Sequence, residues 1–375
     1  MLPLVPSLFL AGFLFAAVSE LWAQGPTRPP AASAPATTPS TPSLPSPLPT
    51  PTLDALLGSM SSADLQQAVE LLKSNFVNPE ALNETELHRA LLSGVLARLG
   101  RGAMIFPENA PDQSAIASAP YSEVLEGHIG YLRLGALTAP NLQTMDANLQ
   151  TLGAKKIDAL VIDLRASPAT NDFAVAAEFA KRFTPKGKLL WTLRKPAAKQ
   201  ERAFTADRDP AFQGLMIVLA DGETSGPAEA IAGVLRIYNR ALIIGAQTAG
   251  EAVEYSDLPL NGGKVLRVAV AEASLPEARP LFPGGLKPDL AVEMPVPDKR
   301  LVFQQSLEKG MGQLIFEAER PHLNEAALLA GKNPEIDAME AAQRRVRAGD
   351  KGTTRDPVLQ RAVDVVTSLV IYQGR

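Results

Sequence analysis

The sequence contains no cysteine among its 375 residues. Disulfide bonds, a thiolate nucleophile, a cysteine-based zinc site and a lipidated N-terminal cysteine are therefore all excluded. Histidine is scarce as well, because the chain has three, His88, His128 and His322, and no two of them lie at metal-binding spacing. We therefore predict no metal and no cofactor, and the sequence disfavours a Ser-His-Asp triad.

A concentrated patch of positive charge is also lacking. The chain has 36 Lys and Arg against 40 Asp and Glu, a formal net charge of -4, and its basic residues are scattered. Nucleic-acid binding requires a dense basic footprint, so we predict no nucleic-acid partner. With 46% hydrophobic and 20% charged residues, the chain can form one substantial core and a smaller helical appendage.

The N-terminus carries an uncharged apolar run, PLVPSLFLAGFLFAAV, at residues 3–18. Its length suits the core of a signal peptide, whereas a membrane span needs roughly 20 apolar residues. We predict a signal peptide over residues 1–23, with Ala23 before the cleavage point, and export to the periplasm or cell envelope. No Lys or Arg precedes the run, so an uncleaved anchor that tethers the protein to a membrane is the alternative.

Composition divides the rest of the chain into four segments. Residues 24–52 are rich in Pro, Thr, Ala and Ser, which predicts an extended linker without a core. Residues 53–104 show apolar residues three and four apart, which predicts a helical region. Residues 127–295 alternate short β-type runs with helical stretches, and residues 296–375 return to a charge-rich pattern typical of helices.

The segment 127–295 predicts an α/β core with a buried sheet. The runs ALVIDL and LMIVLA are continuously apolar, as expected of strands that are covered on both faces. The helical stretches between them, such as PAEAIAGVLRIY, would supply that cover.

Several stretches resemble the tail-specific, or C-terminal processing, serine-lysine peptidases. They are FVNPEALNETELHRALLSGVLARLG, HIGYLRL, IDALVIDLRASPA, MIVLADGETSGPAEAIAGVLRIYNRALIIGAQTAGE and LFPGGLKPDLAVE, in the order in which the family has its counterparts. The resemblance implies a ClpP/crotonase-like protease core with a leading helical segment and, here, a C-terminal helical extension. Only about 25 residues, 105–130, separate the leading helices from the core, too few for the family's PDZ module.

The same resemblance places the catalytic positions. The family's nucleophilic serine lies in a Ser-Ala-Ser-Ala-Ser-Glu pattern, which here reads Thr-Ser-Gly-Pro-Ala-Glu, so the nucleophile position is Gly226. The ungapped register places Glu251 at the position of the lysine base and Tyr255 at that of a glutamine that orients the lysine. The family's Pro-Gly-Gly turn, which contributes an oxyanion-hole amide, is Pro168-Ala169-Thr170 here.

Ser225 is the alternative nucleophile. It lies one residue out of register, and the nearest mapped base is Glu251. A carboxylate with an ordinary pKa of about 4.3 is a poor acceptor for a hydroxyl proton. We therefore regard Ser225 as a minor candidate.

A purely structural interpretation accounts for the other marked residues. Gly226 serves as a helix N-cap, Pro227 as the first helical residue and Glu229 as an acceptor for free backbone amides. Asp163 and Arg165 are predicted to form an ion pair at a strand end. His88 is predicted on a helix surface and His128 at a strand start, neither with a chemical role.

Three functions follow as hypotheses. The first, which we favour, is a pseudoprotease that binds an extended polypeptide or protein partner as a peptide-binding or scaffold protein. The second is a serine endopeptidase with rearranged catalytic residues. The third is a structural envelope protein that forms homo-oligomers through its C-terminal helices.

Overall fold

The computed structural model describes residues 52–108, 120–167, 170–315 and 355–373. The predicted signal peptide and nearly all of the predicted linker lie outside this part of the chain. Contacts divide the chain into two units, Met1–Val77 and Asn78–Arg375. None of the helices in the described ranges combines the length and the apolar character that a membrane crossing requires.

The described part of the first unit consists of two helices, α1 (Leu53–Ser59) and α2 (Ser62–Asn75). Thr52 caps α1 by accepting a hydrogen bond from the amide of Ala55. Ser61 and Asp64 form a reciprocal capping box at the start of α2, which satisfies two amides that the helix leaves free. Neither helix contains a buried residue.

The second unit is built on a six-stranded main sheet with the order β12-β8-β7-β4-β3-β2. Its strands are β2 (Tyr121–Leu125), β3 (Ile129–Arg133), β4 (Ala159–Asp163), β7 (Leu215–Ala220), β8 (Ala241–Gly245) and β12 (Leu290–Ala291). All neighbouring pairs are parallel except β2 and β3. Every residue of β4 is buried, because the sheet is covered on both faces, as the apolar runs predicted.

Helices cover each face of the main sheet. On one face Leu160 and Ile162 of β4 join a hydrophobic cluster with residues of α4 (Ala139–Ala154), α5 (Phe173–Ala180) and α6 (Pro227–Ile237). On the other face Ala159 and Val161 join a second cluster with residues of α7 (Val296–Lys309) and α8 (Pro357–Gln373). The mixed α/β architecture predicted from the sequence is therefore confirmed.

A second, antiparallel sheet completes the first cluster. Its strands are β1 (Ala103–Pro107), β5 (Leu189–Lys195), β6 (Gln200–Thr205), β9 (Val253–Leu260), β10 (Lys264–Leu275) and β11 (Arg279–Pro280). β10 pairs with β9 along one edge and with β1 and β5 along the other. The sequence analysis did not predict this second sheet, because β6 is mostly exposed and β9 is half-exposed and carries a proline, Pro259.

The leading helix α3 (Glu84–Leu99) belongs to the second unit. Asn83 caps its N-terminus by accepting from the amide of Glu86, and Gly100 ends it with a φ of 52°. The chain then passes through Arg101 into β1, so α3 leads directly to the second sheet. This short connection brings Arg101 to the candidate site.

Candidate functional site

Gly226 lies in the turn between β7 and α6. Its φ of 59° and ψ of -131° place it in a region that glycine adopts readily and that strains other residues. It is the N-cap of α6, and Pro227 is the first helical residue. The predicted helix cap is therefore confirmed, and the backbone itself favours glycine at this position.

The space in front of Gly226 is bounded by main-chain oxygens. A Cβ atom added to Gly226 would lie 3.3 Å from the carbonyl oxygen of Thr170 and 3.8 Å from that of Glu251. Carbonyl oxygens accept hydrogen bonds, whereas a tetrahedral oxyanion requires donors. Pro168 and Ala169, which the resemblance assigned to the oxyanion turn, lie outside the described residues.

Glu229 connects the start of α6 to the turn that precedes β9. Its Oε1 accepts from the amides of Gly226 at 3.1 Å and Glu251 at 2.7 Å. Its Oε2 accepts from the Thr248 hydroxyl at 2.6 Å and the Gly250 amide at 2.8 Å. Burial raises the pKa of Glu229, although these hydrogen bonds oppose the rise. The sequence predicted the cap but not the contacts with the 248–251 turn, which no local pattern reveals.

Glu251, at the predicted base position, forms an ion pair. Its Oε1 accepts from Nη1 of Arg101 at 2.6 Å, with side-chain exposures of 19% for Glu251 and 51% for Arg101. A carboxylate held in this way by a guanidinium is a poor acceptor for a serine proton. The position therefore carries an interaction with the segment after α3, which the sequence analysis did not foresee.

Tyr255 lies in β9, beside the same ion pair. Its hydroxyl donates to the main-chain oxygen of Arg101 at 2.9 Å. Burial, followed by the negative charge of Glu251, raises the pKa of Tyr255 to about 12. The phenol is therefore neutral at physiological pH and cannot serve as a base there.

Ser225, the alternative nucleophile, is buried with 6% exposure. Within the described ranges, no side chain forms a hydrogen bond with its hydroxyl. A serine hydroxyl becomes a nucleophile only when a base within hydrogen-bonding reach accepts its proton. The described residues around Ser225 supply no such base.

A buried charged network lies at the carboxyl end of β4. Nη2 of Arg165 lies 2.6 Å from Oδ2 of Asp163 and 2.7 Å from Oδ2 of Asp356. The Tyr131 hydroxyl donates to Asp163 at 2.7 Å. Burial alone would raise the pKa of Asp163, but the charge of Arg165 and these hydrogen bonds hold it below its usual range. The predicted ion pair between Asp163 and Arg165 is confirmed.

Lys299 of α7 extends this network towards the turn that leads to Ser225. Its Nζ donates to the main-chain oxygen of Arg165 at 3.1 Å, lies 2.7 Å from Oε2 of Glu223 and forms an ion pair with Asp221. Two carboxylates thus balance the charge of this buried lysine. The sequence analysis missed Lys299, because it lies far along the chain from the turn that it stabilises.

The two described histidines contribute nothing to the site. His88 is exposed on α3, as predicted. His128 is half-buried immediately before β3, with Nδ1 2.8 Å from the main-chain oxygen of Glu126. His322 lies outside the described residues.

Known proteins that resemble the chain agree with the family resemblance. Residues 128–292 match the sequence profile of peptidase family S41. A carboxy-terminal-processing protease of Bartonella bacilliformis is 29% identical over 233 residues, which cover 56% of this chain and 53% of that protein. A carboxyl-terminal-processing protease of Synechocystis is 25% identical over 216 residues, which cover 58% and 48%. Residues 128–292 are therefore similar to peptidase family S41, and the predicted resemblance to the C-terminal processing peptidases is confirmed.

Solved structures also resemble the chain. A photosystem II D1 C-terminal processing protease covers 51% of this chain and 48% of its own, with a TM-score of 0.39 and 20% identity. A putative peptidase from Parabacteroides merdae covers 64% and 84%, with a TM-score of 0.46 and 17% identity. The chain spans about half the length of the curated relatives it matches.

Proposed function

We propose that the protein is a catalytically degenerate member of the tail-specific protease group, a pseudoprotease that binds an extended polypeptide without cleaving it. In this proposal the core is ClpP/crotonase-like, lacks a PDZ module and acts as a peptide-binding or scaffold protein in the cell envelope. The apolar run at residues 3–18 supports export. Residues 108–120 alone separate β1 from β2, which supports the absence of a PDZ module because a domain needs at least about 50 residues.

The observation that carries the proposal is the geometry at Gly226. The backbone there has a positive φ that favours glycine, and the place of a side chain faces the carbonyl oxygen of Thr170. Nucleophilic catalysis needs a nucleophile, a base and oxyanion donors together. The mapped positions instead hold a glycine, a paired carboxylate and main-chain acceptors.

Neither alternative has comparable support. A peptidase that used Ser225 would need a base, and none of the described side chains hydrogen-bonds to its hydroxyl. An envelope protein that oligomerised through its C-terminal helices would need an apolar face free on them. In α8, the last of the described helices, Val358, Leu359 and Val363 are buried against the main sheet of the same chain.

The proposal is tested by measuring binding and cleavage in the same sample. The purified protein is incubated with a fluorescein-labelled, unstructured peptide that has an apolar C-terminus; anisotropy reports binding and mass spectrometry reports cleavage. We expect binding with the peptide intact. Turnover that disappears in Ser225→Ala would overturn the proposal in favour of a rearranged serine peptidase.

A further inference from the structure

The side chain of Asn171 pairs with the backbone of β9. The amide of Tyr255 donates to Oδ1 of Asn171 at 3.1 Å, and Nδ2 of Asn171 donates to the carbonyl oxygen of Tyr255 at 3.3 Å. A carboxamide offers an N–H donor beside a carbonyl acceptor, as does the backbone of a neighbouring strand. Asn171 therefore occupies the position that a paired strand would take.

These contacts identify the outer edge of β9. In the described part of the chain β9 pairs with β10 alone, so its second edge has no partner strand. The main-chain N–H and C=O of Tyr255 point to that edge. Alternate residues of a strand point to the same edge, so the main-chain groups of Asp257 point there as well. Pro259 has no amide hydrogen and ends the usable edge. The accessible stretch is therefore short.

 A pocket of about 570 Å³ opens beside Asn171, a volume within the range of roughly 300–1,000 Å³ of ordinary ligand sites. Its lining includes the buried Leu137, Phe173 and Phe204 together with Asn171 and the half-buried Glu254. A pocket with this apolar floor suits one apolar side chain.

A polar group without a partner lies beside the same pocket. The hydroxyl of Thr170 is buried, and none of the described residues forms a hydrogen bond with it. Burying a hydroxyl without a partner costs free energy that a ligand's hydrogen bond would restore. Thr170 also places its carbonyl oxygen in front of Gly226, so the 170–171 segment covers both the pocket side of β9 and the mapped nucleophile position.

From these contacts we infer that Asn171 is a built-in substitute for a bound polypeptide. An extended polypeptide displaces the Asn171 carboxamide, adds to the free edge of β9 as a strand and places one apolar side chain in the pocket. The inference rests on the proposed function and names its docking edge. It also makes Asn171 a regulator of affinity, because a partner must first break the two hydrogen bonds to Tyr255.

The competition predicts the effect of removing the carboxamide. A partner then no longer has to break the two hydrogen bonds between Asn171 and Tyr255, so removing the carboxamide should tighten peptide binding about tenfold. Asp257→Pro should weaken binding about tenfold, because it removes an amide from the free edge and leaves the pairing with β10 intact. Asp257→Ala is the matched control, since it loses the same ion pair with Arg267 but keeps the amide.

The test uses the full chain and a fluorescein-labelled peptide of alternating serine and valine around one phenylalanine. A second peptide has the same side chains but carries N-methyl groups on alternate amides, which prevents strand pairing. We expect the parent peptide to bind at least tenfold more tightly than the methylated one, and Asn171→Ala to bind the parent about tenfold more tightly than the unaltered protein does.

Equal affinity for the two peptides, measured on the unaltered protein, would overturn the inference without reliance on any variant. Unchanged affinity in a folded Asn171→Ala protein would overturn the role of Asn171. In both cases binding without cleavage would leave the proposed function standing. Cleavage of the parent peptide, detected by mass spectrometry, would instead refute the proposed function.

Discussion

Two groups of charged residues in the second unit differ in burial and in the number of their contacts. Arg165, Asp163 and Asp356 are buried, and the guanidinium pairs with both carboxylates. Glu251 and Arg101, at the mapped base position, form one partly exposed pair. The comparison teaches that the buried polar contacts serve the stability of the fold, whereas the carboxylate at the mapped base position is held by a single guanidinium near the surface.

Removing Arg165 should have the largest effect on stability. Arg165→Met leaves Asp163 and Asp356 buried without their cation, and breaking a buried ion pair in this way costs about 3–5 kcal/mol. Urea denaturation monitored by circular dichroism measures the loss. A loss below about 1 kcal/mol would show that the two charged groups do not differ as described.

The conformation of Gly226 should have the next largest effect. Gly226→Ala forces a side chain into a backbone region with a φ of 59°, which costs about 1–3 kcal/mol. Gly94→Ala in α3 is the control, because nothing lies within 4 Å of the added Cβ and alanine favours a helix by about 0.5–1 kcal/mol. Equal stability of the two variants in thermal unfolding would contradict the assigned backbone strain.

The buried network should also respond to acid. The folded-state pKa of Asp163 is lowered, so its contribution is present above the usual carboxyl pKa of about 4 and is lost as the pH falls through the lowered value. Each unit of lowering corresponds to about 1.4 kcal/mol. Asp163→Asn should therefore flatten the acid limb of a plot of unfolding free energy against pH, and an unchanged limb would refute this role.

Arg101 should have the smallest effect. Arg101→Met removes a partly exposed ion pair with Glu251, and such pairs contribute less than about 1 kcal/mol. Urea denaturation under the conditions used for Arg165→Met measures the loss of unfolding free energy for comparison. A loss as large as that of Arg165→Met would show that the mapped base position is a structural centre.

The main sheet was predictable from sequence, and the second sheet was not. ALVIDL and LMIVLA are apolar throughout because both faces of β4 and β7 are buried. β9 and β6 are half-exposed or exposed, so their sequences lack a clear period. Local periodicity therefore revealed the strands inside the core but not those at its surface.

The candidate site was predictable only where it depends on neighbouring residues. Gly226, Pro227 and Glu229 form a helix start whose chemistry is local. The pairing of Glu251 with Arg101 and the contact of Asn171 with Tyr255 join residues far apart along the chain. No pattern within one segment encodes such contacts, so only the structure shows that Glu251 and Tyr255 are engaged by residues distant in sequence.

Covalent labelling tests the central claim most directly. The purified protein is treated with a fluorophosphonate, which reacts with activated serines, and its intact mass is measured beside that of Ser225→Ala. The account predicts no adduct on either protein, because Gly226 has no side chain and no described side chain accepts a hydrogen bond from the Ser225 hydroxyl. An adduct on the unaltered protein that is absent from Ser225→Ala would contradict it.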